Sequence, residues 1–473
     1  MKYLPLAAAV AAVLLPGQGQ ARGVSPYLPL NLSPEIERQV ERVLILADKP
    51  VLRRPIAAAT VLDALPKACQ QDPVTCGQVR RYLKRYMKKA GVSHASAELA
   101  LTSDDKVALA NAHGMAADSA YRLSASAYWQ PSDYALVSVG GLAYEDESTP
   151  TNSLLSLGFE YAQLDVGYRD HWLSPMTDSA LLISTQAQTM ASVTLSNYTP
   201  ITDWGFSYEF FLAEMSHSDR IRHRGGLTSG KPRLAGMHLS IEPVSGWSLG
   251  VNRVMQFGGG SRGGKSLGDI FDAFFRPSSA DNTQAGGLTS DEEFGNQAAS
   301  ITSRFLFPGE TPFAVYFEYG GEDTSKGADY RLGNAALSAG VHFPLLWQDF
   351  DLSYEFSEWQ NAWYVHHIYL DGLTNEGNVI GHWGGDQRAA GDGVGGQSHM
   401  VRLGWQPEFG GLLEASYRTL ANESYGTVDY DRAHLLSVSY ALPWRRYLVG
   451  GELQLGRDVL GESYSRLSAF IRF

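Results

Sequence analysis

Three stretches carry residue types that could do chemistry. Gly259–Ser266, GGSRGGKS, fits G-x-x-x-x-G-K-[ST], the spacing by which backbone amides cradle phosphates while a lysine, here Lys265, reaches the outer ones. That use needs a preceding strand buried on both faces. The strand here, WSLGVNRVM, alternates like a wall, so the string reads as a loop, flexible or folded into the structure. Gly384–Gln397 has the aspartates of a calcium loop without its ligand spacing, and reads as a glycine-rich extracellular loop. His366 and His367 offer two imidazoles, but neighbours in a strand face opposite ways and chelate poorly. The chain has 12 histidines and many serines, yet none stands in a G-x-S-x-G frame. No enzyme activity, metal, cofactor or nucleic acid is therefore expected.

The more readable chemistry lies in alternation. From about Ser93 onward apolar and polar residues exchange every second position. Phe350, Leu352, Tyr354 and Phe356 alternate with Asp351, Ser353, Glu355 and Ser357, and Phe313–Tyr319 follows the same scheme. About 18 to 20 such segments occur, each near the ten residues that cross a bilayer as a tilted strand. Aromatics gather near segment ends. Short turns such as FPGETPF, FPLLWQDF and LPWRRY contrast with long polar loops near Asp219–Arg233, Gly258–Gln297, Asp371–Gln397 and Ala421–Arg432. A soluble sandwich also alternates, but girdles and one-sided long loops describe an outer-membrane barrel, which must close because lipid satisfies no open sheet edge. Asp165, Arg169, His171, Glu209, Glu318, Asp351, Glu355 and Glu452 then face the lumen. Such groups beside aromatics like Trp172 suit wall-to-wall ion pairs or sugar hydroxyls. Arg253 falls on the lipid phase, which predicts that its strand ends or bulges there. At the chain end, Leu467, Ala469, Ile471 and Phe473 take the lipid phase; Arg466, Ser468 and Arg472 point inward, with Phe470 as the inward exception.

What precedes the alternation differs. Residues 1–21 have the basic start, short apolar run and small-residue end of a secretory signal, too short to span a bilayer. Residues 22–91 read as a helical module, with starts at Ser33-Pro34, Arg54-Pro55 and Asp72-Pro73 and a third helix reaching Gly91. Val79, Leu83, Tyr86 and Met87 share one face of that helix. Arg81, Arg85 and Lys89 form a basic row, either a solvated face or a contact for lipid head groups or an acidic polymer. Cys69 and Cys76 suit a disulfide better than a metal pair, because an exported chain is oxidised and no further ligand lies nearby. Such a link stabilises by roughly 2–3 kcal/mol. The module carries 13 basic against 6 acidic residues, while the whole chain stands at −12. A basic head sits on an acidic body of residues 92–473.

GYRDHWLSPMTDSALLISTQAQTMASVTLSN, LGVNRVMQFGGGSRGG and GNQAASITSRFLFPGETPFAVYFEYGGED resemble, in this order, blocks of the capsule assembly protein Wzi family. The resemblance implies an eighteen-stranded outer-membrane β-barrel with a periplasmic helical module. It also implies a surface lectin that holds capsular or other exported polysaccharide, among outer-membrane lipids and polysaccharide export components. The surplus segments would then fold inside or lie in loops, Leu181–Ser184 and Val193–Ser196 being the shortest. Arg169, His171, Trp172, Glu318, Glu322 and Asp323 are the candidate polysaccharide-binding residues. Leu173-Ser174-Pro175 and Gln186–Thr189 depart from the family pattern, which leaves the sugar open. A diffusion porin for sugars or cations is the second reading, and an outer-membrane hydrolase the third. The terminal Phe473 resembles a barrel-assembly signal.

Overall fold

The computed structural model describes residues 22–30, 33–103, 106–145, 147–275, 289–324, 332–424 and 428–473, without the side chains of 323 and 324. The expected signal segment lies outside them. Among the described residues three helices come first: α1 (Pro34–Leu46), α2 (Ala58–Gln71) and α3 (Pro73–Leu83). Proline opens α1 and α3, and the Asp72 carboxylate caps α3 by accepting from the Thr75 amide at 3.1 Å. The Cys69–Cys76 disulfide ties α2 to α3. Two boundaries differ from expectation. The second helix begins at Ala58, not at Pro55, because the Arg54 backbone is occupied in a bridge to Trp172. The third stops at Leu83 and tightens into a 3-10 turn, Lys84–Met87, before Ala90 opens the first strand. This tightening turns Met87 out to 65% exposure while Val79, Leu83 and Tyr86 stay buried.

A closed antiparallel barrel follows. Strand Ala90–Thr102 pairs with Tyr121–Ser132 on one side and with the last strand, Ser463–Arg472, on the other. Among the described residues nineteen strands share the sheet. Glu147–Thr149 and Leu154–Phe159 pair with opposite halves of Ala135–Tyr144, so they fill one position and the wall has eighteen. Pro150, which has no amide to donate, interrupts that position. Val193–Ser196 is no loop. It belongs to the wall strand Ala191–Ser196, paired on both edges. Leu181–Ser184 does lie inside.

The phase of each strand is as the alternation predicts. Tyr354, Phe317, Leu467 and Ile471 point outward, while Asp351, Glu355, Glu318, Arg466 and Phe470 are buried inside. Outward rings line the end nearest the helices, with Trp247 stacked on Phe305, Phe313 on Phe343, and Phe350 on Trp405. Short turns occupy this end and long segments the other. Arg253 neither ends nor bulges its strand: pairing with both neighbours runs through it in register. Its charge is covered instead by a short helix, α4 (Leu267–Phe275), laid on the outer wall, whose Phe274 carbonyl accepts from the guanidinium at 3.3 Å. Ile270 and Ala273 of α4 pack on Ala235, Met255 and Phe257. A lipid-facing arginine costs about 2–4 kcal/mol at the midplane, so cover from protein is the cheaper arrangement.

The helices pack into one mouth. Ile45 of α1 enters it against Met176, Leu306 and Tyr316. Beside it the Glu41 carboxylate accepts from Arg54 at 2.7 Å and Arg304 at 2.5 Å. Burial opposes the charge on Glu41, but the two guanidiniums outweigh it and hold the pKa below the ordinary value. Arg85 departs from the expected basic row: it donates to the carbonyls of Ser93 and Phe473 and lies over the Phe473 ring, whereas Arg81 and Lys89 are exposed. Glu41→Gln is expected to destabilise the protein by ~3 kcal/mol in denaturant titrations, because it strands two buried cations. An unfolding midpoint equal to that of the parent would show that the pairs do not hold the helices in place.

Candidate functional site: a polar cleft above a filled lumen

Between strands Ala162–Tyr168 and Ala191–Ser196 the chain turns inward and crosses the lumen. Leu173, Leu181, Leu182 and Ile183 are fully buried there, packed with Trp363, Tyr364, Ile380 and Trp383 from the long segment 360–395. A chain inside a barrel has little water to satisfy its amides, so wall side chains must do it. Glu355 accepts from the Thr177 amide and hydroxyl, the Asp178 amide and the Tyr316 hydroxyl, at 2.6–2.9 Å. Glu318 accepts from Ser174, Ser300 and the Leu181 amide. Glu322 takes the Tyr364 amide at 2.6 Å. Asp178 in turn is held by Arg418 and by the Trp383 indole.

The sequence-predicted polysaccharide residues fall in this interior. Arg169 donates to Glu209 at 2.9 Å and lies over the Tyr27 ring. His171 meets the other Glu209 oxygen at 2.8 Å and stacks on Phe211 at 3.9 Å. Arg53 completes the group around Glu209. Trp172 donates to the Met176 carbonyl. All three follow the strand directly and are buried, as are Glu318 and Glu322. They are brought together in two sets: Arg169, His171 and Trp172 near the helices, Glu318 and Glu322 under the inner loops. The backbone of Asp323 continues the wall strand; its side chain lies outside the described residues.

An open cleft lies at the far end. It measures about 430 Å³ and sits between the hairpin Ser218–His223/Gly226–Gly230 and the segment 360–395. Arg220 and Asp371 form a pair at 3.0 Å on its rim, both exposed. Tyr369, Asp386 and Arg388 line it, with His217 at the edge. Burial pushes the Asp386 carboxyl up to about 6, although it accepts from the Val379 amide and from Gln186. Alternating donors and acceptors beside aromatic rings can hydrogen-bond hydroxyls and stack on sugar faces. Sequence reasoning misses these residues. Gly384–Gln397 reads as a surface loop, yet Trp383, Gly384 and Gly385 are buried and fold beneath the cleft. The tryptophan beside two glycines is the available signal. The GGSRGGKS string makes no phosphate cradle: Gly260–Arg262 is a 3-10 turn packed on the hairpin, and Lys265 lies over Phe294.

The family model for the capsule assembly protein Wzi matches residues 95–445. The chain belongs to the Wzi family. The solved structure of Wzi from Escherichia coli, an outer-membrane protein involved in group 1 capsule assembly and a carbohydrate-binding β-barrel, superposes with a TM-score of 0.71 at 15% identity, covering 96% of this chain and 99% of that one. The Pseudomonas aeruginosa barrels OccK5 (OpdH) and OccK3 (OpdO) align with TM-scores of 0.48 and 0.49, at 8% and 9% identity, over 81% of this chain and 97% and 95% of theirs. No curated protein sequence matches. The lumen of this Wzi-family barrel is occupied by its own chain. Glu355→Ala orphans several buried donors at ~1–3 kcal/mol each and is expected to loosen the inner loop. Planar-bilayer recording checks this: the parent chain should stay closed and the variant should show conductance steps. Steady conductance through the parent would overturn the closed lumen.

Proposed function

We propose that the protein is a non-catalytic lectin that binds exported capsular or other polysaccharide at the cleft and holds it at the cell surface. The observation that carries this reading is the open polar cleft, set above a lumen filled by loops, in a chain of a capsule assembly family. The Wzi relative from Escherichia coli is described as carbohydrate-binding, which agrees with it. In this reading the helices face the periplasm, the cleft faces outward, and segment 1–21 directs export. Exposed Arg81 and Lys89 would then meet lipid head groups or export components. Arg169, His171, Trp172, Glu318 and Glu322 support the binding surface from behind by fixing the loops that form it. The filled lumen argues against a diffusion porin.

Arg220→Ala with Asp371→Ala changes the exposed rim without touching the interior. The double variant is expected to bind the host polysaccharide about tenfold more weakly, or ~1.4 kcal/mol, by surface plasmon resonance. Cells carrying it should shed polymer into the medium at unchanged synthesis. Polymer that stays cell-bound in a strain lacking the gene would sink the proposal.

A further inference from the structure

His366 and His367 do not lie in a strand. They sit in the irregular segment after Trp359, where neighbouring side chains need not diverge. Their rings are 4.3 Å apart and tilted by 37°. Both reach one carboxylate. His367 Nε2 is 2.8 Å from Glu293 Oε2, and His366 Nε2 is 3.7 Å from Glu293 Oε1. One ligand atom from each residue lies within 4.8 Å of the others, the spacing of a shared ion. Glu293 is buried, His366 nearly so, and His367 is 46% exposed along its side chain, which leaves an entry path from solvent.

We propose that Glu293, His366 and His367 form a binding site for one divalent transition-metal ion of the zinc class. Two imidazoles and one carboxylate are the ligand set such ions take, with a remaining position for water. The site is prepared by its surroundings. The hairpin strand Ser218–His223 binds the histidine segment through Arg222 N to the Ile368 carbonyl and Leu370 N to the Arg220 carbonyl. Arg262 fastens the glutamate segment by donating to the carbonyls of Ser290 and Glu293. Its guanidinium also reaches the Arg222 carbonyl, so this nearby cation is engaged by backbone oxygens. Coordination through His366 Nε2 moves its proton to Nδ1 and gives up a long bond, 3.2 Å, from the Ile368 amide. The ion replaces the contacts of both imidazoles with Glu293. It would cross-link residues 289–293 to 366–371, and Tyr369 and Asp371 of that second segment line the cleft. The site stands or falls independently of polysaccharide binding.

The test uses the full chain in detergent after chelator treatment. Equilibrium dialysis against Zn²⁺ should give one saturable equivalent, and Co²⁺ should give visible d–d bands of a four- or five-coordinate site. His367→Ala, at an exposed position, should weaken Zn²⁺ binding at least ~10-fold and abolish the cobalt bands. Glu293→Gln should do the same, while His434→Ala, on the outer wall, should leave both unchanged. An absence of saturable binding in the parent overturns the proposal. So does equal binding in His367→Ala, which would assign the ion to other histidines.

Discussion

A polypeptide threaded through a closed barrel must have its backbone polar groups answered from the wall. Here two wall carboxylates answer three amides of the inner loop, those of Thr177, Asp178 and Leu181. Glu355 gathers the amides at the turn of the inner loop, and Glu318 fixes the loop on either side of it. With those anchors set, Leu181–Ile183 can pack on Trp363 and Trp383, and the segment 360–395 has a floor to fold on. The cleft at the far end is the upper surface of that same packing.

The same principle governs the other mouth. Charged groups taken from water are tolerated only with close partners. Glu41 meets two guanidiniums, and Glu209 meets Arg53, Arg169 and His171. Glu41 thus joins the helical module to the wall, and Glu209 joins the module, the inner loop and the wall. The helices, the loop and the barrel are locked by shared residues instead of by separate interfaces.

The wall is legible in the chain because a barrel with a polar lumen imposes a period of two, which Phe350–Ser357 follows throughout and Leu467–Phe473 follows except at Phe470. The inward phase of Glu318 and Glu355 follows from it. Their partners do not: Thr177 stands 178 positions from Glu355, and no local pattern carries such a pairing. Arg253 escapes local reading for a related reason. Its strand does not break, because a helix in the loop that follows, 21 positions on, covers the charge. His366 and His367 diverge only if they belong to a strand, and their convergence depends on the irregular backbone that follows Trp359. Local periodicity reports the wall; long-range pairing builds what the wall contains.

A plain cylinder presents the same belt to lipid in every direction, but this one does not. On one side α4 lies against the wall, with Phe271 and Phe275 exposed and their rings 4.7 Å apart, tilted by 44°. About a third of the way round, centred on Tyr121–Ser132, the wall is a shallow trough lined by Ala95, Ala97, Ala125, Ala127 and Gly141, with Leu123 and Val139 among them. One flank is thick and aromatic; the other is thin and smooth. Rotation about the membrane normal therefore changes what a neighbour meets, and the molecule has a heading within the plane of the bilayer.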